Sequence, residues 1–289
     1  MIVKANAKVN FTLEVLGKRS DGYHDLRSVV VPVSLADEIE LVPAEKTVLE
    51  IADEKGFLRG VDCGGEKNLA VKAVRLMQQT FGIEEEVSLK IVKNIPCGGG
   101  LGGGSADAAA VMNALNALWK IGAPKSDLAT LGAKLGSDIP ALVLGGMVLM
   151  EGRGERVSPL LEGCGNSFAL VLSNPGIFCS TPEIFGSFEK GLSNEGDILY
   201  NMISSIASGD FKQVASALNN DLARTAYARY PEIAESAQRL KDAGCEGVSM
   251  SGSGATVFGI VRDEAQARET MERAASSNWI EFARTCPVV

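Results

Sequence analysis

The 289-residue chain carries 28 Lys plus Arg against 36 Asp plus Glu, a formal net charge of −8, with one histidine and six cysteines. That acidic balance excludes broad nucleic-acid binding, which is built from excess cations. A lone histidine, with no C-x-x-C pair to replace its missing partners, excludes a zinc metallohydrolase of the usual kind. The segment MIVKANAKVN has no uninterrupted apolar run and is not read as a signal peptide. The longest apolar stretch, residues 139–150, falls short of the roughly 18 residues a membrane span needs. Scattered cysteines fit a reducing cytoplasm. No coiled-coil repeat is visible, so a monomer or weak homodimer is expected.

Residues 3–15 alternate strictly, with Val3, Ala5, Ala7, Val9, Phe11, Leu13 and Val15 on one side and Lys4, Asn6, Lys8, Asn10, Thr12 and Glu14 on the other. This is the pattern of a half-buried strand. After a glycine-containing break, SVVVPVSL and DEIELVP read as returning strands, with Pro32 marking an edge or bulge. Residues 67–81 show helical spacing at Leu69, Ala73, Leu76 and Met77, and residues 87–93 alternate as a strand. The alanine-rich segment that follows residue 104 is apolar on nearly every side and suits a buried helix. Ser126 and Asp127 start another helix, stopped by Gly136. Beyond GRGERVSPLLEGCGN, the best domain boundary, SFALVLSNP is a strand and residues 182–243 are mostly helical. GVSMSGSGATVFGIV carries a strand, residues 264–277 form a helix, and IEFARTCPVV a last strand. The whole is an α+β pattern.

Six of the eight residues from Cys97 to Gly104 are glycine, and they open a long helix. Backbone without Cβ atoms lets N–H groups approach an anion, and the helix N-terminus adds about half a positive charge, so this is a phosphate cradle. The run ends without the Gly-Lys-Ser/Thr of a Walker A loop. Gly98, Gly100 and Gly103 match G-x-G-x-x-G, but a helix lies where a dinucleotide fold needs its second strand and acidic residue.

The stretch Pro96-Cys97-Gly98-Gly99-Gly100-Leu101-Gly102-Gly103-Gly104-Ser105-Ala106 resembles the phosphate loop of the GHMP kinases, the family of galactokinase, homoserine kinase and mevalonate kinase. Two further motifs stand in the family's order: Ala7-Lys8-Val9-Asn10, and Met250-Ser251-Gly252-Ser253-Gly254-Ala255. SDGYH at 20–24, SLADEIEL at 34–41, LGSDIP at 135–140, GRGE at 152–155 and STPEIF at 180–185 are similar to the branch acting on 4-diphosphocytidyl-2-C-methyl-D-erythritol. The resemblance implies a two-domain GHMP kinase fold: an N-terminal ATP-binding and catalytic domain like ribosomal protein S5 domain 2, residues 1–158, and a ferredoxin-like C-terminal domain, residues 159–289. It implies ATP and Mg²⁺, and phosphorylation of that substrate's 2-hydroxyl in the non-mevalonate route to isoprenoid precursors. No protein ligand for the metal can be named.

The resemblance also assigns roles. Lys8 would lie beside the acceptor hydroxyl and Asn10 beside the substrate; alternation alone would make both a solvated strand face. Asp138 would accept the hydroxyl's proton, whereas its place before Ile139-Pro140 equally suits a helix N-cap. Ser105 and the turn Gly252-Ser253-Gly254 would face the phosphates. Asn68 and Lys93 match positions near adenine. Tyr23 would stack on cytosine, His24 would hydrogen-bond its edge, and Phe185, four residues after Thr181, resembles the second aromatic of the base site. The chain departs from its relatives at Val30-Val31 and at Ala141-Leu142, keeping apolar character at both. A kinase of the homoserine or mevalonate type would leave Tyr23, His24 and Phe185 unexplained. A regulatory pseudokinase would be expected to lack Lys8 or Asp138.

Overall fold

The computed structural model describes residues 1–58, 63–188, 197–275 and 278–286. Its chain packs into two compact units, one of Met1–Ala7, Leu35–Cys97 and Gly102–Gly145, the other of Lys8–Ser34, Gly98–Leu101 and Gly146–Val289. Each of these packing units is assembled from several separate segments of the chain. The cause is two long strands, β1 (Ile2–Lys18) and β2 (His24–Ala44), whose ends belong to different units. What read as two returning strands is the single strand β2. Pro32, lacking an N–H, falls in the gap between the residues pairing one neighbour, Leu26–Val30, and those pairing another, Glu38–Ala44.

In the first unit, the second half of β2 pairs antiparallel with β4 (Glu86–Val92), and β3 (Val48–Ala52) pairs parallel to β4. Helix α1 (Leu69–Phe81) starts where Asn68 Oδ1 accepts from the N–H of Ala70 and stops at left-handed Gly82. Its face of Ala70, Val71, Ala73, Val74 and Met77 is buried, close to the predicted stripe. Helix α2 (Gly103–Leu118) packs against α1, and Ala106, Ala108, Ala109, Val111, Met112, Ala114 and Leu115 are buried, the central helix its composition predicted. Helices α3 (Lys125–Gly132) and α4 (Ile139–Leu144) pack on α2. The apolar stretch 139–150 is thus a short helix and then a strand.

In the second unit, β5 (Val148–Gly152) pairs with the first half of β2 and with β6 (Arg156–Pro159). A separate antiparallel sheet has the order β11 (Trp279–Arg284), β7 (Ala169–Asn174), β10 (Val257–Val261), β9 (Gly247–Met250). Every residue of the interior strands β7 and β10 is buried, which explains their unbroken apolar runs. Helices α5 (Thr181–Gly186), α6 (Ile198–Ser208), α7 (Phe211–Ala217), α8 (Ala223–Arg229), α9 (Pro231–Asp242) and α10 (Glu264–Arg273) belong here, with α9 and α10 on the sheet. The short strand β8 (Asn219–Asn220) runs parallel to Thr12 and Leu13 of β1. Part of the predicted helical region, residues 189–196, and the expected ends of the last helix at 276–277 and last strand at 287–289 lie outside the described residues.

The alternating strand β1 is half-buried only at its start, where Lys4 is exposed and Asn6 half-buried while Ala5 and Ala7 are buried. Lys8, Asn10, Thr12 and Glu14, the candidate solvent face, are 3%, 1%, 0% and 7% exposed. A buried charge must be paired or hydrogen-bonded, so this polar face is a built feature.

Candidate active site

In the second unit, the glycine loop is gripped from two sides. The N–H of Lys8 donates to Leu101 O at 3.0 Å, and the N–H of Thr256 donates to Gly99 O at 3.0 Å. Ser251 Oγ donates to Gly100 O at 2.9 Å. Residues 251–256 form the turn of the β9–β10 hairpin, closed where Met250 pairs Val257. Gly100 has φ +77°, and a Cβ there would stand 2.1 Å from Ser251 O and 2.9 Å from Gly254 O. Only glycine fits this approach.

Asn10 joins the first strand to the same turn. Its Oδ1 accepts from Lys8 Nζ at 2.8 Å and from the N–H of Gly252 at 2.9 Å, while its Nδ2 donates to Ser28 Oγ at 2.8 Å. The three motifs that sequence order alone set apart therefore meet around Asn10 and Gly100. Sequence reasoning placed Asn10 beside the substrate; here its carbonyl oxygen spends both lone pairs on Lys8 and the turn, so it orients Lys8. Asn220 Nδ2 donates to Met250 O at 2.7 Å and Gly252 O at 2.8 Å, bracing the turn from β8. Asn220 was missed, though the polar run Asn219-Asn220-Asp221 between apolar stretches was its signal.

The aromatic residues also lie in this unit. His24 and Phe185 are together, ring centroids 5.3 Å apart, and Tyr23 is 53% exposed with the Arg153 guanidinium 5.4 Å from its ring centre. Burial, with Lys18 nearby, pushes the His24 imidazole below its ordinary value. That shift favours the neutral imidazole, which offers one donor and one acceptor nitrogen. Helix α5 and the residue before its cap connect this pair to the turn at 251–256: Thr181 Oγ1 lies 2.8 Å from Ser253 Oγ, and Cys179 Sγ donates to Ser253 O at 3.0 Å. Phe178, unremarked in the sequence and 65% exposed, lays its ring against Gly98, where a Cβ would come within 2.7 Å.

In the first unit, α2 begins at Gly102, left-handed at φ +71°, with no side-chain cap and no acidic residue in its first turn. Its positive end is thus left for an anion. Ser105 Oγ in that turn lies 3.8 Å from where a Cβ on Gly136 would stand, which sets it near the turn carrying Asp138. Asp138 occupies the N-cap position of α4, yet its side chain makes no capping bond. Capping therefore does not consume its carboxylate.

Asn68 uses its side chain to cap α1 and to donate to Cys63 O at 2.8 Å. Lys93 is buried between two carboxylates, with Asp107 Oδ2 at 2.8 Å and Asp37 Oδ2 closer still. Burial alone would lower the Lys93 ammonium, but Asp107 and Asp37 overcome it and hold it above its ordinary value. Both side chains have partners within the fold that a lone Lys or Asn in sequence does not reveal.

Residues 68–146 match the family model of the GHMP kinases N terminal domain, and residues 202–280 match the GHMP kinases C terminal model. The chain belongs to the GHMP kinase family. This GHMP kinase is 37% identical over 266 residues to the 4-diphosphocytidyl-2-C-methyl-D-erythritol kinase of a Geobacillus species, covering 92% of this chain and 90% of that one. It is 36% identical, over the same shares, to the protein of that name from Bacillus cytotoxicus. A crystal structure of 4-(cytidine 5'-diphospho)-2C-methyl-D-erythritol kinase superposes with a TM-score of 0.83 at 31% identity, over 99% of both chains. A homoserine kinase from Cytophaga hutchinsonii shares the kinase's fold, with a TM-score of 0.77 at 18% identity over 99% of this chain and 94% of that one.

Proposed function

We propose that this kinase transfers the γ-phosphoryl group of ATP to the 2-hydroxyl of 4-diphosphocytidyl-2-C-methyl-D-erythritol, in the non-mevalonate route to isoprenoid precursors. The observation that carries the substrate is α5, which holds Thr181 against Ser253 of the phosphate turn and places Phe185 against His24. A phosphate-holding turn and a base-reading pair on one short helix suit an acceptor that is itself a nucleotide. The relatives' names point the same way. Cytosine presents one amino donor and ring acceptors, which a neutral imidazole can meet with one nitrogen of each kind.

Phosphoryl transfer asks the protein mainly for positioning and electrostatics. In the second unit the backbone of the glycine loop and the turn at 251–256 hold phosphate, and in the first the N-terminus of α2 offers a positive end to an anion. Lys8, oriented by Asn10, stabilises charge on the transferring group. Asp138 accepts the proton of the attacking hydroxyl. Backbone N–H groups, the positive end of α2 and Lys8 are what let a protein of net charge −8 hold an anion. Mg²⁺, when bound, neutralises phosphate charge.

Among the described residues no helix is long and apolar enough to cross a membrane. The cysteine usage supports a cytoplasmic setting, and a monomer or weak homodimer is the assembly proposed. Incubation with ATP, Mg²⁺ and the cytidyl substrate should yield a new phosphomonoester at the 2-position by ³¹P NMR. ATP turnover that leaves this substrate unchanged refutes the assignment.

A further inference from the structure

The geometry points to Lys93, Asp37 and Asp107 as positioning residues for ATP, an ionic clamp that closes the two ends of the glycine loop. None of the three needs to touch the nucleotide. The inference rests on the kinase reading only for the use of ATP.

Lys93 stands just before the loop and Asp107 just after it, so the 2.8 Å bond between Lys93 Nζ and Asp107 Oδ2 bridges a 14-residue separation and encloses residues 96–106. Asp37, from β2, binds the same ammonium through Oδ2 and takes the N–H groups of Asn94 and Ile95 on Oδ1, the latter at 2.9 Å. It thereby fixes the last two residues before Pro96. The three side chains are 6%, 0% and 5% exposed. A Cβ on Gly103 would stand 3.6 Å from Lys93 Nζ, which sets the ammonium under the first turn of α2.

A cation at a helix N-terminus is repelled by the helix's positive end, and burial adds a desolvation cost. Two carboxylates offset both. The second carboxylate, however, is more than charge balance requires: a Lys93–Asp37 pair would already be neutral. Asp107 Oδ1 has no hydrogen-bond partner, although the atom is buried. An arrangement built for stability alone would omit this group. Its position explains it, because Asp107 is the one member on the far side of the loop. Without it the start of β4's exit and the start of α2 are no longer tied together.

The tests are Asp107→Ala and Asp107→Asn in the full chain, read by the dissociation constant for ATP, by thermal stability, and by the Michaelis constants of both substrates. Read at pH 8, where the Asp107 carboxylate is ionised, Asp107→Ala leaves a balanced Lys93–Asp37 pair, so the melting temperature should not fall by more than a few degrees from the parent. ATP binding should nonetheless weaken about tenfold, the scale of one charge-assisted hydrogen bond spent on order. Asp107→Asn restores an acceptor to Lys93 and should recover most of that loss. The acceptor's KM should stay within about twofold in both. An Asp107→Ala protein that binds ATP like the parent overturns the inference, as does an equal rise in both KM values. Because ATP binding is read without the acceptor, a wrong acceptor assignment leaves these results interpretable.

Discussion

Replacing Gly100 by alanine should damage this kinase more than any change to a free glycine of similar backbone. At φ +77° an L-residue is strained whatever the space, by about 1 kcal/mol. The new Cβ would also stand 2.1 Å from Ser251 O and 2.9 Å from Gly254 O, both rigid backbone atoms. The turn must retreat, and the bonds at risk are Ser251 Oγ to Gly100 O, the Thr256 N–H to Gly99 O and the Gly252 N–H to Asn10 Oδ1. At about 1 kcal/mol each, with partial relaxation, the total cost is about 3 kcal/mol. Gly122 is the control: its φ is +71° and nothing lies within 4 Å of the added carbon. Gly122→Ala should cost only the backbone strain, about 1 kcal/mol. Urea unfolding measures the difference, and KM for ATP should rise in Gly100→Ala alone. Equal destabilisation of the two variants, with equal ATP KM, would show that the loop and the hairpin turn do not depend on one another.

Asp138→Asn should lower kcat by about 10² to 10⁴-fold, the range for a general base, with little change in ATP affinity; near-normal turnover removes it from that role. Tyr23→Ala should chiefly raise KM for the cytidyl substrate, and an unaltered KM would discard the stacking assignment. Stability should also depend on Asp107. Burial pushes its carboxyl from 3.8 up to about 7, opposed by Lys93 and reinforced by Asp37. The folded chain then keeps a proton that the unfolded chain has lost, so stability falls as pH rises from about 4 to about 7, and above that window the Asp107 carboxylate is ionised against Lys93. Asp107→Asn should flatten that slope in denaturation series across the window; an identical slope would mean the carboxyl titrates elsewhere.

Glycine-loop chemistry was legible because it is local. Six glycines followed by an alanine-rich helix state their geometry in adjacent letters, and α2 lies where they put it. The motifs of the first strand and the second hairpin were legible as letters, while their meeting at Asn10 and Gly100 was not, since contacts 242 and 151 residues apart leave no local trace. Periodicity misled at β1: alternation reports which residues are polar, and Lys8 to Glu14 are polar yet buried. At β2, SVVVPVSL and DEIELVP read as separate returning strands but form one, with Pro32 in a pairing gap. Lys93 shows the general reason. Its partners are Asp37, from β2, and Asp107, from α2, far enough away in the chain that no local pattern links them to it. Burial and partnership are properties of the fold, so a titratable residue's task emerges only when its neighbours are known.

The acceptor is the central claim, and a single panel tests it: ATP consumption, with product identification, over 4-diphosphocytidyl-2-C-methyl-D-erythritol, homoserine and mevalonate at equal concentration. Turnover should be confined to the cytidyl substrate and should fall when free cytidine diphosphate competes for the His24–Phe185 site. Turnover on homoserine or mevalonate, with none on the cytidyl compound, would contradict the account.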